Sequence, residues 1–193
     1  MQSLRLFVAL NLPDDVKNKL SRELEPIQRL MPGFTRFLAP RNWHLTISFL
    51  GNQDADSAAR IAECVRRTAG LSFAPVLRFQ DLSYGPSNGG GSDNARMIWL
   101  NGAPETSRQA GALRDTLEEN LIAYGIRFKQ ENRGFRAHIT LARFEPAKCG
   151  DLPAIEKKML IDCAPNTLDL MISRLARSGA EYETAGQFAF KTN

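Results

Sequence analysis

Apolar positions along this chain follow two rhythms. Leu4–Leu12 is a nearly continuous apolar run rich in β-formers and closed by Pro13, which predicts a central strand. Val16, Leu20, Leu24, Ile27 and Met31 then recur at helical spacing. They predict a helix with Asp14 as its N-cap, kinked or split by Pro26 and closed by Pro32-Gly33. A short strand over Phe34–Leu38 and a turn at Pro40-Arg41-Asn42 lead into a buried strand from Trp43, which Gly51 ends. Asp54–Ala69, with Ile61 and Val65 on one face, reads as an amphipathic helix stopped by Gly70.

Phe73–Leu82 predicts a strand, Gly85–Ser92 a flexible loop, and Met97–Leu100 another short strand. The loop resembles a phosphate-binding loop in glycine content alone, since it lacks the Lys-Ser/Thr ending. Leu113, Leu117 and Leu121 place a helix over Thr106–Tyr124, ended by Gly125. Arg127–Gly134 is polar and basic and leads into a second buried strand from His138. Pro146–Met159 reads as loop with one short helix, and Leu168–Arg177 with Tyr182–Lys191 as a final hairpin. The order of elements predicts an α+β protein of two similar lobes facing each other across a cleft.

Both predicted inner strands have the form His, apolar, Thr, apolar: His44-Leu45-Thr46-Ile47 and His138-Ile139-Thr140-Leu141. The chain has only two histidines, and both sit in this pattern. Threonine fills nine of 193 positions, so a composition-matched chain would place Thr two residues after both histidines about once in 450. Side chains alternate along a strand, so each unit puts an imidazole and a hydroxyl on one face and two apolar anchors on the other. Phe49 and Arg143 each lie five positions beyond a histidine, where an ideal strand points them away from it. Arg143 serves the site only if its strand ends or bulges near Ala142. For Phe49 the alternatives are core packing and stacking on a base.

The chain has 193 residues, a net charge of +4 and 43% apolar content, which fits one globular domain over residues 1–193. The mild basicity suits an anionic ligand without requiring one. No segment has the length of a transmembrane helix, Leu6–Leu10 is too short for a signal-peptide core, and the expectation is a cytoplasmic monomer. Cys64, Cys149 and Cys163 have no metal-ligand spacing and read as reduced, mostly buried thiols.

Two histidines facing one cleft make an acid–base pair, because unperturbed imidazole titrates near neutrality and one can be neutral while the other is protonated. Opening a strained cyclic phosphodiester needs that division. Thr46 and Thr140 supply hydroxyl donors for the non-bridging oxygens, and Arg143 a permanently charged one. No third ligand near either motif completes a zinc set, and no cysteine has an activating context, so no metal or cofactor is expected. The residues alone are symmetric and leave open which histidine is the acid.

The paired motifs mark the two-histidine phosphoesterase superfamily, and nearly end to end the chain resembles the RNA 2′,3′-cyclic phosphodiesterases, also called 2′-5′ RNA ligases. Supporting stretches are Arg5-Leu6-Phe7-Val8-Ala9-Leu10 with Leu12-Pro13, Asn42-Trp43 before His44, Phe49-Leu50-Gly51, Ile98-Trp99-Leu100, Ala142-Arg143, and Ser173-Arg174 to Gly179-Ala180-Glu181-Tyr182. The resemblance implies two mainly antiparallel lobes with helices on their outer faces, related by a pseudo-twofold axis. It also implies metal-independent opening of an RNA 2′,3′-cyclic phosphate to a 2′-phosphate, and joining of 2′-5′ linkages in tRNA halves as the related reaction. His44 is then the proton donor and His138 the acceptor. Alternatives are a phosphodiesterase for small cyclic nucleotides or 2′-5′ oligoadenylates, and a non-catalytic RNA-binding module.

Overall fold

Leu6, Val8 and Leu10 alternate with Phe7 and Ala9 along the first strand, and the two sets enter different clusters: the first joins the main core, the second a small cluster with Met171. This division between the helix-covered face of the sheet and the opposite face organises the molecule. The structure, a computed structural model, describes residues 3–86, 95–144, 152–155, 157–176 and 179–192.

In chain order the elements are β1 (Leu4–Asn11), α1 (Asp14–Leu30), β2 (Arg36–Phe37), a 3₁₀ turn at Pro40–Asn42, β3 (His44–Gln53), α2 (Ala55–Leu71), β4 (Leu77–Gly85), β5 (Met97–Gly102), α3 (Pro104–Ala123), β6 (His138–Arg143), β7 (Lys158–Cys163), β8 (Thr167–Ala176) and β9 (Gly179–Ala189). Among the described residues the strands lie in the order β7-β4-β5-β6-β3-β1-β8-β9, with β2 beside β6, and every strand pair is antiparallel. The two four-stranded halves, β7-β4-β5-β6 and β3-β1-β8-β9, meet at the histidine strands through one register pair, Leu45 with Ile139. This is the expected α+β arrangement of two antiparallel halves.

Several local features differ from the sequence reading. Asp14 is the first helical residue of α1 rather than its cap; Pro13 takes the cap position without a side-chain bond, and Asp14 and Asp15 place their charge in the first turn, where it suits the helix dipole. The helix runs unbroken through Pro26, held by Val16, Leu20, Leu24 and Ile27 in the core. In α2 the cap is Asp54, which accepts from the Ser57 amide at 2.7 Å, and the helix passes Gly70 to end at Leu71. Gly51 does not end β3; with φ of 70° it sits at a bulge and the strand continues to Gln53. The strand expected from Phe73 starts at Leu77, beyond Pro75. β7 was not expected: Lys158–Cys163 alternates buried Met159 and Ile161 with exposed Leu160 and pairs along β4. Most of the Gly85–Ser92 loop, and residues 146–151 and 156 of the Pro146–Met159 segment with Cys149, lie outside the described residues. Cys64 is buried, Cys163 is half-buried, and both are free thiols.

Candidate active site

The parity problem at Phe49 and Arg143 is solved by two matching bulges. Along β1 and β3, Ala9 pairs with Thr46 but Val8 pairs with Ser48, so Ile47 is an extra residue. Along β5 and β6, Trp99 pairs with Thr140 but Ile98 pairs with Ala142, so Leu141 is extra. Each bulge falls three residues after a histidine. The burial pattern records the consequence, with Ile47 and Ser48 buried in succession, and likewise Leu141 and Ala142. Beyond each bulge the alternation is reversed, so Phe49 and Arg143 join the face that carries the histidines and threonines. Phe49 is 57% exposed, which removes the core-packing alternative.

His44, Thr46, Phe49, His138, Thr140 and Arg143 all line one cavity of about 670 Å³, the six residues the sequence singled out. Its walls add Arg5, Phe7, Trp99, Arg136 and Tyr182. A second cavity of about 570 Å³ continues beyond Phe49, lined by Gly51 and the segment Lys129 to Arg133.

The two imidazoles are held alike. His44 Nδ1 lies 2.8 Å from the Asn42 carbonyl and His138 Nδ1 2.9 Å from the Arg136 carbonyl. A carbonyl only accepts, so Nδ1 carries a proton in both rings and Nε2 is left for the cavity. Each ring also rests on an aromatic side chain from the neighbouring strand. Phe7 is 5.0 Å from His44 and Trp99 is 4.1 Å from His138, centroid to centroid, with tilts of 36° and 33°. Tyr182 stands edge-on to His44 at 5.0 Å. Beside each histidine the neighbouring strand places an asparagine bonded to an aspartate: Asn11 to Asp169 at 2.6 Å, and Asn101 to Asp81 at 2.7 Å.

Burial is the main electrostatic influence. It pushes the His44 pKa down to about 4, with Arg143 and His138 acting in the same direction and the Asn42 carbonyl opposing. Burial also lowers His138, helped by Arg136 and Arg133 and opposed by its carbonyl bond and by Glu131. Both shifts favour the neutral imidazole in the free site. Thr140 Oγ1 makes only a weak contact with Met97 Sδ, at 3.9 Å. Among the described residues no group of three His, Cys, Asp or Glu side chains is placed to hold a metal ion.

The sequence reading gave no role to Phe7, Trp99 or Tyr182. Alternation alone locates two of them: Leu6 and Val8 enter the core, so Phe7 faces the other way, and Ile98 and Leu100 do the same for Trp99. For Tyr182 no comparable signal exists, because β9 is an edge strand with little burial contrast.

Comparison with known proteins supplies the class. The sequence model of the LigT-like phosphoesterases matches residues 10–91. An RNA 2′,3′-cyclic phosphodiesterase of Aeropyrum pernix is 31% identical over 154 residues, 74% of this chain and 79% of that protein. A protein of the same description from Thermotoga maritima is 28% identical over 191 residues, 97% of this chain and 96% of its own. Among solved structures, TT0787 of Thermus thermophilus superposes with a TM-score of 0.77 at 25% identity, covering 97% of this chain and 98% of that one. The E. coli LigT crystallised with ATP shares the fold with a TM-score of 0.73 at 22% identity, covering 99% and 100%. The chain belongs to the LigT-like phosphoesterase family, within the two-histidine phosphoesterases. Among the described residues no helix is long and apolar enough to cross a membrane.

Proposed function

We propose that this protein opens the 2′,3′-cyclic phosphodiester at an RNA end to a 2′-phosphomonoester, by histidine acid–base chemistry without a metal. The observation that carries the reading is the duplicated histidine site: two imidazoles whose Nδ1 atoms are tied to backbone carbonyls, each beside a threonine hydroxyl, lining one cavity with Arg143. His138 takes a proton from water as its oxygen attacks phosphorus. The bond from phosphorus to O3′ breaks, and His44 gives that oxygen its proton. Thr46, Thr140 and Arg143 hold the non-bridging oxygens as charge develops on them.

The surroundings of the two rings support this division. The aromatic residues Phe7, Phe49 and Tyr182 gather on the His44 side, where a sugar and base rest with Phe49 as stacking surface. The leaving oxygen belongs to that sugar, so the donor should be His44. Cationic Arg133 and Arg136 flank His138 instead. The second cavity beyond Phe49, with Lys129 and Arg133 on its wall, favours an RNA strand over a single cyclic nucleotide. A 5′-hydroxyl in place of water would give a 2′-5′ linkage by the same steps.

The test is incubation of an RNA ending in a 2′,3′-cyclic phosphate, in EDTA, with the product isomer identified. A 2′-phosphate is expected. A 3′-phosphate product, or activity lost in EDTA and restored by a divalent ion, overturns the proposal.

A further inference from the structure

We infer that Trp99 is a positioning residue for His138: its indole fixes the ring plane and favours the imidazolium that forms when His138 accepts a proton. This rests on the reading of His138 as the base. Trp99 is 9% exposed, and its ring lies 4.1 Å from the imidazole at a tilt of 33°, close to stacked. The indole lies over Gly85 of β4, where any Cβ would fall inside its ring system. Ser83 and Gly85 of β4 pair with Trp99 and Met97 of β5, so the glycine leaves the hollow that lets the indole lie against the sheet. Trp99 Nε1 is buried and makes no hydrogen bond among the described residues, so no polar contact among them sets the position of this ring. It is held by shape, and its face is offered to His138.

His138 is thus restrained twice, by the Arg136 carbonyl at Nδ1 and by the indole face beneath. A cation over an indole face is favoured more than a neutral ring, and more than over a phenyl face. The molecule puts tryptophan under the histidine that gains charge in the reaction, and Phe7, at 5.0 Å, under the one that loses it. That arrangement stabilises a charge present only as the reaction proceeds. The other groups facing His138 are Arg136, Arg133 and Glu131 from the preceding segment, His44 from β3, Arg143 from the end of β6, and Asp81 through Asn101. The cations among them oppose protonation, and the indole counters them. The Arg136 guanidinium carbon also lies over the Trp99 ring, 5.7 Å from its centroid.

The test uses the fact that the chain has two histidines, whose ring protons are assigned by NMR with H44A and H138A. In Trp99→Leu the His138 pKa should fall by about one unit, a roughly tenfold weaker hold on the proton, while His44 titrates as before. Turnover of the cyclic-ended RNA should fall about tenfold with its acid limb displaced alike, and Trp99→Phe should recover part of both. An unchanged His138 titration in a folded Trp99→Leu protein overturns the inference, whatever its turnover. Should that variant not fold, the wild-type protein decides. Protonated imidazole quenches a stacked indole, so tryptophan emission should fall at the pH where His138 titrates and stay level in H138A. Emission with no step at that pH also overturns it. If the wild-type protein turns over no cyclic phosphodiester, the reading of His138 as base fails, yet the titrations still decide whether Trp99 sets its proton affinity.

Discussion

At His44 the Asn42 carbonyl holds Nδ1 at 2.8 Å and favours the protonated ring, while burial withholds water from it and disfavours that charge. Burial is the larger effect and leaves the ring neutral down to about pH 4. A proton donor that starts neutral must receive its proton together with the substrate, whose phosphate favours the imidazolium. Binding of sulfate, which keeps both charges between pH 6 and 7, should therefore be accompanied by uptake of up to about one proton. Calorimetry in buffers of different ionisation heat measures this, and His44→Gln should abolish it; no uptake in the wild-type protein counts against His44 as a donor recharged by its ligand. The same shift governs stability. The unfolded chain binds the proton near the ordinary value of 6.5 and the folded one near 4, so the contribution is fully present above about pH 6.5 and is lost as pH falls toward 4. The loss amounts to up to about 3 kcal/mol, and urea unfolding should show His44→Gln less sensitive across that window. For catalysis, His→Ala at either position should cost about 10²–10⁴-fold in turnover, the usual worth of a positioned proton-transfer group. The double variant should be little worse, since both groups act in one transition state. Sulfur as leaving atom needs little protonation, so such a substrate should rescue H44A and not H138A; the reverse pattern would exchange the two roles.

At the scale of elements, the bulges at Ile47 and Leu141 decide what the site contains. Without them a strict alternation would send Phe49 and Arg143 to the helix-covered face. The sequence shows the two His-x-Thr units plainly, because each is a local pattern of four residues. A bulge leaves no such mark: Ile47-Ser48 and Leu141-Ala142 are ordinary strand pairs, and only their partners' register reveals the extra residue. At Arg143 the need for a strand end or bulge near Ala142 was legible, and the bulge falls one residue away, at Leu141; nothing marked the bulge at Ile47. β7 escaped notice for a related reason, since an edge strand takes its register from β4 and carries only two buried side chains. Gly70 misled in the other direction, and Pro26 does not split its helix. Each breaks a helix in isolation, but Ile27 beyond the first and Ala69 before the second are anchored in the core, and packing overrides propensity. The two bulged positions should give different losses. Arg143→Ala, removing a charged hydrogen-bond donor from a phosphate, should lower turnover by about 10²-fold. Phe49→Ala should weaken binding of a cyclic-ended oligonucleotide by about 1–3 kcal/mol with turnover nearly kept, as for a lost stacking surface. Steady-state kinetics of both variants separate these outcomes, and an equal fall in turnover for Phe49→Ala would assign the ring to catalysis instead of binding.

Over the whole molecule the charge is small, +4, yet Arg5, Lys129, Arg133, Arg136 and Arg143 converge on one cleft where the acids are Glu118 and Glu131. These cations are not equivalent. Arg133 is bonded to Glu131 at 2.8 Å, so its charge already has a partner. Arg114, at the same cleft, is engaged with the Arg133 carbonyl and with Asp115. Glu118 is tied to Ser48 at 2.9 Å and faces the floor. That leaves Arg5, Lys129, Arg136 and Arg143 as the cations available to an RNA backbone. Each phosphate neutralised releases counterions, and on a single strand the logarithm of affinity falls with the logarithm of salt by about 0.7 per phosphate. Four such contacts predict a slope of about −3 for a short RNA bound to a catalytically silent H138A protein. Lys129→Ala and Arg136→Ala should each flatten the slope by roughly 0.7, whereas Arg133→Ala should do so less and Arg114→Ala not at all. Titrations of a fluorescent oligonucleotide from low to moderate salt give these slopes directly. A slope near zero in the wild-type protein would mean that the cleft holds the terminal phosphate alone and the strand runs elsewhere. An Arg133 variant as flat as that of Lys129 would mean that the Glu131 pairing opens when RNA binds.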